Sequence, residues 1–154
     1  MNSIYFESTF CNMKLMAQDN AICALDFFSS GDNPEAAQDD LLDQAIKQIA
    51  EYAESASFTF NLPLAPKGTE FQRKVWSILQ SIPAGQVKTY GEVAKMLSSS
   101  PRAVGNACRS NPIPLIIPCH RVVSVSGLGG FAGKTQGLTV DLKRQLLAHE
   151  GVEI

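Results

Sequence analysis

Residues 89–112 read TYGEVAKMLSSSPRAVGNACRSNP and predict two short helices joined by a tight turn. Thr89 and Glu92 have the spacing of a capping box, so a helix is expected to open here. After a polar turn, Ser100-Pro101 has the signature of a second helix start, and Asn111-Pro112 ends that helix. The pair resembles a helix-turn-helix, a DNA-binding arrangement, although ordinary protein cores contain similar helix pairs.

Helices are also predicted on both sides of this pair. Before it, Thr69 and Gln72 form another capping-box pattern, followed by apolar residues at helical spacing: Phe71, Val75, Ile78, Leu79 and Ile82. After it, a glycine-rich segment at 127–133 leads to a last helix that Thr139 is expected to cap. Glu150 follows at the end of that helix, where the dipole disfavours a carboxylate. Either another interaction holds this side chain or it is simply solvated.

The N-terminal part has a different pattern. Alternating apolar and polar residues predict strands over 4–10, 13–17 and 22–28. Asn33-Pro34 then offers an N-cap and a first helical residue for a helix that runs to about Glu54. Residues 58–62 are expected to add an edge strand, and residues 62–68 read as a linker. The sequence therefore predicts an α+β protein with two domains, 1–64 and 65–154.

Composition excludes several classes of protein. With 45% hydrophobic and 18% charged residues among 154, the chain is an ordinary globular protein with a sizeable core. It has no pattern of a signal peptide and no run of about 20 apolar residues, so no membrane partner is expected. Four cysteines without CxxC spacing suit a reducing cytoplasm. Two histidines offer little to a zinc site, and no metal is predicted.

Charge is distributed unevenly between the two predicted domains. Residues 1–66 carry two basic and ten acidic side chains, a net charge of −8. Residues 67–154 carry eleven basic and five acidic side chains, a net charge of +6. The C-terminal part is therefore the part to test for a polyanionic partner, although basic side chains can also merely solvate a surface.

Residues 113–123 read IPLIIPCHRVV and place Cys119 directly before His120 in an apolar run. A buried thiol is ordinarily inert because a low dielectric disfavours its thiolate. An adjacent imidazole can accept the thiol proton and restore the nucleophile. Cys119 is thus a candidate nucleophile in a water-poor pocket.

Several of these segments together resemble the O6-alkylguanine-DNA alkyltransferase family. The resemblance covers residues 69–151 and lies in these stretches: 71–75, 85–93, 102–109, 111–123, 130–133 and 146–151. It implies a ribonuclease H-like N-terminal domain, consisting of a small antiparallel sheet with a helix, followed by a mainly helical, winged helix-turn-helix-like domain. The first sixty residues resemble the family only in their order of strands and helix, and residues 134–145 are longer than the usual spacing.

The resemblance implies a role for each residue of the catalytic motif. Cys119 matches the alkyl acceptor, whose proton passes through a water to His120, and Glu150 holds the resulting imidazolium. Asn111 matches the asparagine that ties the turn before the active-site strand to the recognition helix. The carbonyl groups of Cys119 and Val122 match those that accept from the exocyclic amine of guanine.

Four further residues match the family's DNA- and base-binding positions. Tyr90 matches the tyrosine that crowds the phosphate and donates to the flipped base. Arg102 matches the arginine that fills the gap left by the extruded nucleotide, and Arg109 on the same helix is expected near phosphates. The backbone amide of Ala132 matches the donor near O6 of the substrate.

The function implied is DNA repair by one irreversible transfer of an alkyl group from O6-alkylguanine, and from O4-alkylthymine, to Cys119. The partner is double-stranded DNA, the protein acts as a cytoplasmic monomer, and no cofactor is needed. Two alternatives remain: a non-catalytic lesion binder, which lacks the acceptor cysteine, and a Cys-His hydrolase, which requires an oxyanion hole and turns over.

Overall fold

The computed structural model describes residues 1–33, 39–129 and 138–153. Contacts divide the chain into two compact units, Met1–Lys67 and Gly68–Ile154. That each unit is an independently folding domain, with a boundary at residues 64–65, stays a prediction. The architecture is α+β, as the sequence predicts, with an antiparallel sheet in the first unit and mostly helices in the second.

The first unit is a three-stranded antiparallel sheet with one helix. Strands β1 (Asn2–Glu7), β2 (Asn12–Gln18) and β3 (Ala21–Phe27) pair in the order β1-β2-β3. Alternate residues of β2 are buried, which is the pattern of a strand with one face on the core. Helix α1 (Asp40–Glu54) contributes its apolar stripe to the same core: Leu42, Ala45, Ile49 and Tyr52.

Helix α1 does not begin where the sequence predicted. Its N-cap is Asp39, whose carboxylate accepts from the backbone N–H groups of Leu41 and Leu42 at 2.9 and 3.1 Å. Asn33 instead bonds to the backbone of Tyr5 on the edge strand β1, with both contacts at 2.8 Å. The N-cap prediction at Asn33 is therefore wrong, because the backbone of the edge strand β1 binds the same amide side chain. Pro34 lies outside the described residues.

The predicted edge strand at 58–62 is also wrong. The chain pairs with β3 slightly later, where the Ile22 N–H donates to the carbonyl of Pro63 and the Ala65 N–H donates to the carbonyl of Ile22, both at 2.8 Å. Phe58 and Phe60 form an aromatic cluster with Tyr52 instead of a strand, with ring centroids 5.6–5.7 Å apart.

The second unit begins with a helix and the helix pair predicted from the sequence. Helix α2 (Glu70–Gln80) and helix α3 (Tyr90–Met96) both open with complete capping boxes, at Thr69 and Thr89 respectively. Helix α4 (Pro101–Arg109) has Ser100 as its N-cap and proline at its first position. The indole N–H of Trp76 on α2 donates to the carbonyl of Ala107 on α4 at 2.8 Å, which ties the two helices together.

Short elements after α4 carry the catalytic motif. A 3-10 turn, Cys119–Arg121, leads into strand β5 (Val122–Val123), which pairs in parallel with strand β4 (Lys88–Thr89). Because β4 runs directly into α3, this pairing brings the start of α3 to the motif. Helix α5 (Leu138–His149) closes the unit. Thr139, predicted as its cap, lies inside the helix, which begins one residue earlier.

The described residues contain no helix both long and apolar enough to span a lipid bilayer. The same part of the chain contains no cluster of three or more histidine, cysteine, aspartate or glutamate side chains that could hold a metal ion.

Candidate active site

Asn111 fixes the turn that precedes the cysteine. Its amide group donates to the carbonyl of Ile117 at 2.8 Å, and its side-chain oxygen accepts from the N–H of Ile113 at 3.0 Å. Between these two points Leu115 has a φ of 78°, a left-handed conformation that costs a non-glycine residue about 1–2 kcal/mol. The two bonds from Asn111 hold this strained turn, and the turn delivers the chain to Cys119.

Cys119 is buried, with only 4% of the residue exposed to solvent. Burial raises the pKa of the Cys119 thiol to about 11, while a hydrogen bond from Asn111 and the positive charge of Lys143 oppose that rise. At rest the group is therefore a neutral thiol. It becomes a nucleophile only when a base takes its proton inside the site.

His120 is the imidazole adjacent to this thiol, and it is fully buried. Its Nε2 lies 2.7 Å from Oε2 of Glu150, across thirty residues of sequence. Burial lowers the pKa of His120 in spite of the carboxylate, so the imidazole is neutral at neutral pH. A neutral imidazole is the form that can accept a proton, and the buried carboxylate beside it stabilises the imidazolium that then forms.

Arg121 holds the carboxylate of Glu150 from the other side. Its Nε and Nη2 donate to the two oxygens of Glu150 at 2.9 and 3.1 Å, a bidentate contact, and its Nη1 donates to the carbonyl of Ile82 at 2.6 Å. The interaction expected for Glu150 at the end of α5 is therefore present. The contacts from Arg121 hold the carboxyl group of Glu150 in the orientation in which it meets His120.

A buried lysine lies on the opposite side of the catalytic turn. Lys143 on α5 is fully buried, and its Nζ donates to the carbonyl of Val122 at 2.8 Å. The same Nζ lies 5.8 Å from the ring centroid of Tyr90, at the start of α3. Lys143 therefore connects Val122 and Tyr90, both of which the resemblance assigns to base binding.

The remaining predicted residues lie at other places in the unit. Arg102 and Arg109 are exposed near the two ends of α4. Gly129 has a φ of 75°, and a Cβ at this position would lie 3.0 Å from the ring of Tyr90, so glycine allows the loop to approach that ring. Ala132 lies outside the described residues.

Sequence reasoning missed two residues of this site. Arg121 belongs to the quoted motif, but its partner lies twenty-nine residues away and no local pattern indicates it. Lys143 had a usable signal, because it stands between Leu142 and Leu146 on the apolar stripe of α5, and all three side chains are buried. A charged residue at an apolar position of a helix is often paired or functional.

Comparisons with known proteins agree with this geometry. A family model described as "6-O-methylguanine DNA methyltransferase, DNA binding domain" matches residues 70–152. A methylated-DNA–protein-cysteine methyltransferase of Methanosarcina acetivorans is 45% identical over 111 residues, which cover 70% of this chain and 68% of that protein. A constitutive methylated-DNA–protein-cysteine methyltransferase of Bacillus subtilis is 40% identical over 112 residues, covering 71% and 68% of the two chains.

Solved structures with the same fold extend the similarity over nearly the whole chain. The crystal structure of Mycobacterium tuberculosis OGT in complex with DNA has a TM-score of 0.80 and 30% identity, covering 98% of this chain and 93% of that one. An O6-methylguanine DNA methyltransferase from Methanococcus jannaschii has a TM-score of 0.70 and 29% identity, covering 98% and 95%. The match to the family model over more than half of the sequence, together with these relatives, establishes that the chain belongs to the 6-O-methylguanine DNA methyltransferase family.

Proposed function

We propose that this protein repairs alkylated DNA by transferring the alkyl group from O6 of guanine irreversibly to its own Cys119. One observation carries the assignment: a buried thiol is followed directly by an imidazole that is hydrogen-bonded, at 2.7 Å, to a buried carboxylate. This is the arrangement of an activated cysteine nucleophile. Family membership supplies the substrate class, because relatives are methylated-DNA–protein-cysteine methyltransferases.

The reaction begins with a proton transfer inside the site. The thiol of Cys119 gives its proton to His120 through a bridging water, and Glu150 stabilises the imidazolium. The sulfur then attacks the alkyl carbon, so that an S–C bond forms as the C–O6 bond breaks and the electron pair of that bond stays with the purine. The purine takes up a proton and leaves as unmodified guanine. The Cys119 thioether has no leaving group that water can displace easily, so each protein molecule reacts once.

Exclusion of water is part of this chemistry. A thiolate in a buried site is poorly solvated and correspondingly reactive, while the same burial keeps the thiol protonated until substrate arrives. The neutral resting pair of thiol and imidazole therefore protects Cys119 from other electrophiles. The carbonyls of Cys119 and Val122 and the amide of Ala132 would position the guanine.

The DNA partner binds through the helix pair. Helix α4 carries Arg102 and Arg109 on its exposed side, in a segment whose net charge is +6. Because the alkyl group is stacked inside the duplex, the nucleotide must be flipped out, at a cost of a few kcal/mol. We propose that Arg102 fills the gap that the flipped nucleotide leaves in the base stack. Tyr90 would crowd the phosphate of that nucleotide and donate a hydrogen bond to the flipped base. We also propose a cytoplasmic location, since four cysteines without CxxC spacing suit a reducing compartment.

Peptide mass analysis tests the acceptor directly. Trypsin cuts after lysine and arginine, and this separates the four cysteines into different peptides. Cys119 lies in peptide 110–121 and Cys108 in peptide 103–109. After incubation with a duplex containing O6-methylguanine, peptide 110–121 should gain the mass of one methyl group. Transfer should stop at one methyl per protein molecule.

Two serine variants provide the matched pair. Cys119→Ser should bind the duplex and transfer nothing, whereas Cys108→Ser, which removes a second buried thiol, should transfer at the parent rate. Methyl on any other peptide would refute Cys119 as acceptor. Repeated turnover by a substoichiometric amount of protein would indicate a Cys-His hydrolase instead.

A further inference from the structure

The strongest unexplained feature of the second unit is the buried ammonium group of Lys143. Its neighbours on the apolar stripe of α5 are leucines, and removing an ammonium group from water is costly unless an interaction compensates for it. Arg144, the next residue, is exposed and lies 3.4 Å from Asp141, as expected for a charged residue on a surface helix. The burial of Lys143 therefore calls for a reason other than stability.

We propose that Lys143 is a positioning residue for alkyl transfer, whose buried charge orients the Val122 carbonyl for the base and favours the thiolate of Cys119. This inference rests on the proposed function, because it concerns the same thiol and the same base site. It adds a residue that the Cys119, His120 and Glu150 relay does not include.

The first argument is the contact with Val122. Nζ of Lys143 donates to the Val122 carbonyl at 2.8 Å, and a carbonyl oxygen has two lone pairs. One lone pair is taken by the ammonium group and the other remains for the exocyclic amine of guanine. Since Val122 follows the catalytic turn directly, the bond from α5 fixes the direction of this carbonyl relative to Cys119.

The second argument is the contact with Tyr90. The ammonium group lies 5.8 Å from the ring centroid, within the range of a cation–π interaction. Lys143 thus contacts two residues, on β5 and on α3, that the proposed function assigns to the flipped base. A single side chain between them sets the spacing of the site.

The third argument is electrostatic. The positive charge of Lys143 lowers the pKa of Cys119, against the effect of burial. Burial lowers the pKa of Lys143 itself to about 8, so that it is still mostly charged at neutral pH, and the two thiols Cys108 and Cys119 act in the opposite direction. Among the described residues, the ionisable groups that interact with the ammonium group include Cys108 from α4, Cys119 and His120 from the 3-10 turn, and Tyr90 from α3.

The test measures the reactivity of the thiol without DNA. Iodoacetamide alkylation of peptide 110–121 is followed from pH 5 to 10 in the parent and in Lys143→Met, Lys143→Arg and Arg144→Met. Below pH 8, where Lys143 carries its charge, Lys143→Met should slow the alkylation of Cys119 about tenfold, as a one-unit change in the thiol pKa would do. The difference between the two rates should shrink at higher pH, because Lys143 then loses its proton in the parent. Lys143→Arg should keep most of the parent profile because it keeps the charge. Arg144→Met, the neighbouring control, should match the parent.

Superimposable rate–pH profiles for Lys143→Met and Arg144→Met would overturn the proposal, because a merely structural lysine would alter stability and leave the alkylation rate of Cys119 unchanged. Fluorescence of Trp76 checks that each variant is folded. If Lys143→Met is not folded, Lys143→Gln and Lys143→Arg decide: below pH 8 the neutral variant must slow the alkylation of Cys119 and the charged variant must not. If the proposed function itself is wrong, the parent protein will not take up a methyl group from DNA, which is a different result from the alkylation profiles above.

Discussion

Lys143→Met should make the second unit more stable at neutral pH, although we expect it to slow the reaction. Folding lowers the pKa of Lys143 from 10.5 to about 8, a difference that corresponds to about 3 kcal/mol of unfavourable free energy below pH 8. Methionine has a similar length and no charge, so this penalty disappears. The substitution also leaves the buried carbonyl of Val122 without this donor, which costs about 1–2 kcal/mol. The net gain expected at pH 7 is about 1–2 kcal/mol.

The sign of the pH dependence follows from the direction of the shift. Between pH 8 and 10.5 the unfolded chain keeps the lysine proton that the folded chain has lost, so the stability of the parent rises with pH in this window. Methionine cannot titrate. The stability advantage of Lys143→Met should therefore shrink by about 2 kcal/mol between pH 7 and pH 10, so that at pH 10 the variant is no more stable than the parent.

Urea unfolding followed by tryptophan fluorescence measures this difference. The chain has one tryptophan, Trp76, and it is buried in the second unit, so its emission reports that unit alone. Parent and variant are compared at pH 7 and pH 10, with Arg144→Met as the control for a change at the exposed neighbour. A variant less stable than the parent at pH 7, or a stability difference that does not change with pH, would refute the electrostatic argument.

Four further outcomes are expected. His120→Ala and Glu150→Gln should each slow methyl transfer 10²–10⁴-fold in a quenched single-turnover assay while duplex affinity is retained, because both act on the proton of the thiol; parent rates would disprove the relay. Since burial lowers the pKa of His120, the transfer rate of the parent should stay level from pH 8 to about 6.5 and fall only below that value, and a decline beginning above pH 7 would contradict this. Arg102→Ala should slow repair of duplex far more than reaction with free O6-benzylguanine, which needs no extrusion, and equal losses would remove its assignment to the vacated stack. Thr89→Ala should lower the free energy of unfolding by about 1 kcal/mol in urea titrations, because it removes the side-chain half of a complete capping box.

Local chemistry accounts for what the sequence predicted well. The capping box of Thr89 and Glu92 depends on residues three apart, so the start of α3 could be placed from the sequence. The unfavourable position of Glu150 on the helix dipole left two alternatives, a partner or a solvated side chain, and the structure has the partners His120 and Arg121. In each case the evidence lay within one or two turns of helix.

Interactions between distant segments account for what it missed. Asn33 has the chemistry of a helix cap, yet it bonds to Tyr5 on a strand edge twenty-eight residues away. The segment that pairs with β3 is 63–65 instead of 58–62, where Phe60 packs on Tyr52 and Phe58 packs on Phe60. The partner of Arg121 and the contacts of Lys143 likewise follow from the docking of α5, which no single-segment pattern encodes.

The hydrogen bond between His120 and Glu150 joins residues thirty positions apart, and this has a consequence for faulty copies of the protein. In a molecule whose last helix has come away from the catalytic turn, Cys119 remains in the chain but has no carboxylate behind its base. Its thiol then lacks the positioned imidazole–carboxylate pair that takes the proton during alkyl transfer, so the transfer is slow. The reactivity of Cys119 therefore depends on the correct docking of the last helix, and a molecule in which that helix is displaced does not react with a lesion.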